Sequence, residues 1–286
     1  MARGGGDGRE RGPSRRRARR AARRNQGSDL GARVVAAIPL AAFAIFIVYR
    51  GGAVFVVALA AIAVVCLHEL YAMFERAHPA RLAGFAAVVG MLAAAHWGGQ
   101  FQVLGVLALA VPLTFLLVVA QPRGGAPAIA VTLLGVGWIG LALAHAVLLR
   151  DLPHGGGIVI DVLVGTFLGD TGAYLGGRAF GATPMAPRIS PHKTLEGLGI
   201  GVIVGVAGVW FAGLYQDWLS GYDALLLGLA VAVVGPIGDL FESYLKRDAG
   251  AKDAGTIFGA HGGALDRLDA VMFTIVAGFY VWSAMS

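Results

Sequence analysis

The sequence predicts an all-α, polytopic integral membrane protein with about nine transmembrane helices, and three observations carry that expectation. Of its 286 residues, 57% are hydrophobic and only 14% charged, where a soluble domain carries about 25% charged residues; mean hydropathy is +0.72. The apolar residues gather into blocks long enough to cross about 30 Å of hydrocarbon. The charges lie between the blocks and favour one side. The lone cysteine, Cys66, sits inside an apolar run, so no internal disulfide forms, and nothing resembles a zinc site.

In chain order, residues 1–33 hold eleven arginines against Asp7, Glu10 and Asp29 and almost nothing apolar. They are expected to be a disordered cytoplasmic arm that anchors topology and attracts anionic lipid. An Arg-rich arm alone reports only electrostatics, so no nucleic acid is expected as a partner. A signal peptide does not fit, because no short apolar run ends in a small-residue cleavage site. The helices are expected at 34–49, 53–74, 82–97, 101–120, 126–149, 157–176, 197–214, 222–244 and 267–284, the first and third being short. Residues 34–154 form the N-terminal transmembrane helices and 155–286 a C-terminal transmembrane region that carries the chemistry.

With the arm inside, Arg76, Arg81, Arg123, Arg178, Arg188, Lys193, Lys246, Arg247, Lys252 and Arg267 all fall on the cytoplasmic side, and only Arg50 and Arg150 outside. That asymmetry follows the positive-inside rule. It places two long polar loops, 177–197 and 245–266, on one cytoplasmic face, with Trp97, Trp210, Trp218 and Trp282 near outer ends. The glycine run "GLGIGVIVG" at 197–205 lacks the preceding strand of a dinucleotide fingerprint. Close helix packing explains it better.

Ionisable groups at membrane depth need partners or water. Glu69, beside His68, sits near an inner helix end and is left open between simple pairing and a role in a site. Asp161 lies near an outer end, on the opposite helix face from Asp170. Asp239, Glu242 and Lys246 are spaced i, i+3, i+7, with Ser243 at i+4, so they share one helix face. Pro236, between Gly235 and Gly238, is expected to kink or open that helix beside Asp239. Asp266 and Asp269, again i, i+3, start the last helix, where capping is an ordinary role for Asp266.

Two acidic helix faces joined by a loop with Lys246, Arg247, Lys252 and His261 suggest a divalent-cation site beside an anion site. Hard oxygen donors favour Mg²⁺ over zinc; Lys and Arg neutralise a polyphosphate; Gly262 and Gly263 allow close backbone approach. The chemistry indicated is phosphoryl or nucleotidyl transfer, without a Walker loop. The other loop offers Asp170 and Tyr174 at i, i+4, then Arg178, Arg188, Ser190, Lys193, Thr194 and Glu196. Ser-Pro followed by Thr-x-Glu also reads as an ordinary helix start.

At these residues the chain resembles the phosphatidate cytidylyltransferase family, the CDP-diacylglycerol synthases. The family signature S-x-apolar-K-R-x4-K-D, then H-G-G-x-x-D-R-x-D, is matched by Ser243, Leu245, Lys246, Arg247, Lys252, Asp253, His261, Gly262, Gly263, Asp266, Arg267 and Asp269. "GDTGAYLGGRAFG" and "ISPHKTLEG" resemble two further landmarks, with His192 where Lys is common.

The resemblance covers 155–286 well and implies that CTP and phosphatidic acid give CDP-diacylglycerol and pyrophosphate. It implies Mg²⁺, with a second, monovalent cation left open. Asp239, Lys246, Arg247, Lys252, Asp253, His261, Asp266 and Arg267 become the expected catalytic set. Asp170, Arg188, Ser190, Lys193, Thr194, Glu196, Ser243, Gly262 and Gly263 become the substrate contacts, and Asp239, Asp266, Glu242 and Asp269 the metal ligands. The expected setting is the cytoplasmic membrane, with the N-terminus and active site facing the cytoplasm; a homodimer stays open. The alternative from another class is an ion-coupled transporter using the intramembrane carboxylates.

Overall fold

A computed structural model describes residues 38–255, 257 and 262–286. The Arg-rich arm over 1–33 and His261 lie outside the described residues. The chain divides into two units, Met1–Phe46 and Ile47–Ser286. The described part of the first is the start of a short apolar helix, α1 (Ile38–Arg50). The second contains α2 (Gly52–Met73), α3 (Arg81–Trp97), α4 (Gln100–Val119), α5 (Ala126–Gly135), α6 (Leu141–Asp151), α7 (Gly155–Phe180), α8 (Leu195–Gly213), α9 (Gly221–Asp248) and α10 (Leu265–Met285).

Each apolar block read from the sequence is helical where it is described. α5 and α6 form one 26-residue apolar segment, joined by a wide turn of π geometry at Val136–Gly140. Among the described residues, seven helical segments are long and apolar enough to cross a membrane, whereas α1 and α3 are shorter. The fold is therefore a multi-pass, all-α membrane fold. The expected nine crossings exceed the seven that length supports, and the two short blocks make the difference.

The helices begin where local chemistry starts them. Ser220 caps α9 by accepting from the Asp223 N–H at 3.1 Å, and Thr194 caps α8 by accepting from Gly197 at 3.2 Å. Tyr71 on α2 donates to the Thr132 carbonyl at 3.0 Å. Thr132 Oγ1 accepts from Ala80 N at 2.9 Å, which ties α2, α5 and the start of α3 together in an apolar setting where polar groups must pair.

α7 and α8 pack through facing small residues. A Cβ on Gly201 would lie 2.8 Å from both the Gly169 carbonyl and the Ala173 Cβ. One on Gly197 would lie 2.7 Å from the Ala173 carbonyl, and one on Gly205 3.0 Å from the Gly165 carbonyl. Positions 197, 201 and 205 thus form a small-residue seam of the kind that lets membrane helices touch backbone to backbone, as the glycine run implied. α9 and α10 approach similarly at Gly238, where a Cβ would lie 2.6 Å from the Asp269 carbonyl.

Three local expectations are corrected. α7 runs to Phe180 and α9 to Asp248, so part of each expected loop is helix. Lys246 and Arg247 then ride the last turn of α9, where positive charge suits the helix dipole. Two short antiparallel strands, β1 (Pro184–Ala186) and β2 (Ser190–Thr194), precede α8; Pro184 pairs with Thr194 and Ala186 with Ser190, around a bulge. Finally, α9 does not open at Pro236: helical turns continue through it, and the flanking Gly235 and Gly238 serve packing against α10.

Candidate active site

The two polar segments meet at one end of the helices. Between α7, the β1–β2 hairpin, α9 and α10 lies a cavity of about 660 Å³. Four carboxylates line it, one from α7 (Asp170), one from α9 (Asp239) and two from α10 (Asp266 and Asp269). Lys193 from β2 and Lys246 from α9 line it as well, with Tyr174, Arg178, His192 and Thr194.

The lysines sit between the acids. Lys193 forms an ion pair with Asp239. Lys246 Nζ lies 2.5 Å from Glu242 Oε2 and 2.7 Å from Asp266 Oδ1. Ser243 Oγ donates weakly to Asp239 Oδ1 at 3.4 Å. Asp266 Oδ2 accepts from Ala254 N at 2.9 Å and Gly263 N at 2.7 Å, so Asp266 is held on both sides while facing the cavity. Gly262 lies at φ +82°, and a Cβ there would come 2.7 Å from Asp266 Oδ2. The glycine is required both for its conformation and for the space it leaves.

Not every expected residue faces the cavity. Glu242 is fully buried beneath Lys246, whose ammonium is its ion-pair partner. Glu196 accepts from the backbone N–H groups of Ala182 and Thr183 at 3.1–3.2 Å, which anchors the hairpin. Arg247 Nε donates to the Ile189 carbonyl at 3.3 Å, gripping the hairpin tip. Ser190 opens β2 and is half-buried. Arg188, Lys252, Asp253 and Arg267 are exposed. Gly263 spends its N–H on Asp266. Among the described residues, no three His, Cys, Asp or Glu side chains converge closely enough to hold an ion by themselves.

Tyr174 and Arg178 join the lining although the expected site set omits them; with Asp170 they form an i, i+4, i+8 stripe that was legible as one helix face. Glu69 is the larger omission. From α2, its Oε1 accepts from Ala264 N at 3.1 Å and its Oε2 from Leu265 N at 2.9 Å. Asp161 is remote: it accepts from Gln216 Nε2 at 2.8 Å at the opposite end, where Trp218 stacks on His154 and Trp282 donates to the Pro153 carbonyl.

Comparison with known proteins gives the family. Residues 31–285 match the model of the cytidylyltransferase family. A phosphatidate cytidylyltransferase of Helicobacter pylori is 46% identical over 117 residues, 40% of this chain and 43% of that protein. The match thus spans less than half of that relative's length. One from Brucella suis is 32% identical over 263 residues, 90% of this chain and 94% of that protein. One from Mycobacterium tuberculosis is 29% identical over 276 residues, 89% of this chain and 83% of that protein. A family match running almost from end to end, with the charged cavity inside it, settles the classification: the chain belongs to the cytidylyltransferase family.

Proposed function

We propose that this enzyme transfers CMP from CTP to phosphatidic acid, giving CDP-diacylglycerol and pyrophosphate. The observation that carries the reading is the mixed-charge cavity at one end of a membrane helix bundle, in a chain of this family. One substrate is a lipid and the other a soluble polyanion, and a polar cavity at the end of apolar helices can receive both.

In the reaction a phosphatidate oxygen attacks the α-phosphorus of CTP, the bond to the β-phosphate bridging oxygen breaks, and pyrophosphate leaves. Phosphatidate is already ionised at neutral pH, so no strong base is needed. Lys246 and Lys193 line the cavity where negative charge moves onto the leaving group, whereas Arg247, Lys252 and Arg267 lie outside its lining. Such stabilisation is the main catalytic lever in this chemistry.

The donor set fits magnesium, since carboxylate oxygens from α9 and α10 face the cavity, no thiol does, and lysines now neutralise those acids. Asp239 and Asp266 would hold the ion, with Asp269 beside them and substrate phosphates completing its shell. Bound there, magnesium would neutralise the triphosphate. The basic residues near the cavity favour a cytoplasmic site in the cytoplasmic membrane. An ion-coupled transporter has no support: the charges that line the cavity gather at one end, and the family is one of enzymes. The test is to incubate detergent-purified protein with labelled CTP, phosphatidate and Mg²⁺. Formation of a labelled CDP-lipid is expected; none from intact protein would overturn the reading.

A further inference from the structure

Glu69 lies on α2, in the half of the chain outside the motifs, yet it is only 3% exposed and reaches the site end of α10. That helix starts without a cap of its own, because the residue before it, Ala264, has no side-chain acceptor. The first N–H groups of a helix need partners from elsewhere, and a negative charge there is favoured by the helix dipole. Glu69 meets both needs, one carboxylate oxygen each to Ala264 N and Leu265 N. The neighbouring backbone closes on it: a Cβ on Gly263 would lie 2.5 Å from both Glu69 oxygens, and one on Gly255 would strike the same carboxylate.

Three successive amides are thereby shared between two acids. Gly263 N–H points to Asp266, and Ala264 and Leu265 point to Glu69. Any shift of this run moves the group that holds Asp266 Oδ2. We propose that Glu69 is a positioning residue for nucleotidyl transfer: it holds the N-terminus of α10 and so sets the aim of Asp266 and Asp269 into the cavity. This rests on the reaction proposed above. Glu69 does not line the cavity and touches no substrate; it acts through the backbone of α10.

The test compares Glu69→Gln, Glu69→Asp and Glu69→Ala in detergent-purified full-length protein. Glu69→Gln keeps the size but turns an NH₂ toward one amide. Its kcat should fall about 10- to 100-fold, as small misplacements of reacting groups do. KM for phosphatidate should stay near the parent value, while the Mg²⁺ concentration for half-maximal activity should rise. Glu69→Asp, which keeps the charge, should recover part of the loss, and Glu69→Ala should be the weakest.

A readout independent of activity is hydrogen exchange. Peptides covering 262–268 should exchange faster in Glu69→Gln, while those from the α7–α8 seam keep the parent rate. Parent-like exchange at 262–268, or unchanged kcat and Mg²⁺ midpoint, would overturn the proposal. So would faster exchange throughout the chain, which marks a general stability role. If the parent protein makes no CDP-lipid but 262–268 still loosens in Glu69→Gln, the reaction assignment falls and the hold on α10 stands.

Discussion

Replacing Asp266 by Asn separates what this carboxylate does for the fold from what it does for the chemistry. Asp266 accepts from Ala254 N, Gly263 N and Lys246 Nζ, at 2.9, 2.7 and 2.7 Å. Asn can keep its amide oxygen on the two backbone N–H groups, but its NH₂ then faces the Lys246 ammonium. One charge-assisted hydrogen bond is lost, for about 1.5–3 kcal/mol. The lower end applies, because Lys246 keeps Glu242 at 2.5 Å. Asp266→Ala also strands two backbone donors, for about 1–3 kcal/mol each. In detergent melts followed by tryptophan fluorescence, Asp266→Asn should therefore unfold slightly below the parent and Asp266→Ala well below it. Turnover of labelled CTP should fall in Asp266→Asn by at least about 10²–10³-fold, the scale for removing one group that stabilises reacting charge. Parent-like turnover in folded Asp266→Asn would refute the metal assignment, and equal melts for the two variants would refute the hydrogen-bond reasoning.

Three further outcomes follow from the same structure. Lys246→Met leaves Glu242, whose side chain is 1% exposed, without its cation, and should destabilise the protein by about 3–5 kcal/mol; an unchanged melt would contradict that. Gly201→Leu forces a side chain into the α7–α8 seam and should cost at least about 1–3 kcal/mol, whereas Gly199→Leu, with nothing within 4 Å of its added Cβ, should stay within about 0.5 kcal/mol. Melting the two side by side decides the point. Thr194→Ala should cost about 0.5–2 kcal/mol through the lost α8 cap, and Thr194→Ser should restore most of it in the same melt.

The helices were readable because each apolar block must satisfy its own backbone within the bilayer. The stripe of Asp239, Glu242 and Lys246 was readable because helical spacing puts those residues on one face. That spacing could not say which of them faces the cavity: Asp239 does, whereas Glu242 is turned inward beneath Lys246. The hairpin was missed because its strands are three and five residues long and each contains a proline, so no alternation marks them. The length of α9 was underestimated because Lys246 and Arg247 look like loop residues until the dipole at the helix end is counted in their favour. Glu69 could not be assigned because its partners are backbone amides 195 and 196 positions away, and a backbone amide leaves no mark in a sequence.

The glycine seam between α7 and α8 also bears on the shape of the cavity. Where two helices touch main chain to main chain, a larger residue at 197, 201 or 205 would push them apart and displace the wall that Gly177 and Gly197 give the cavity.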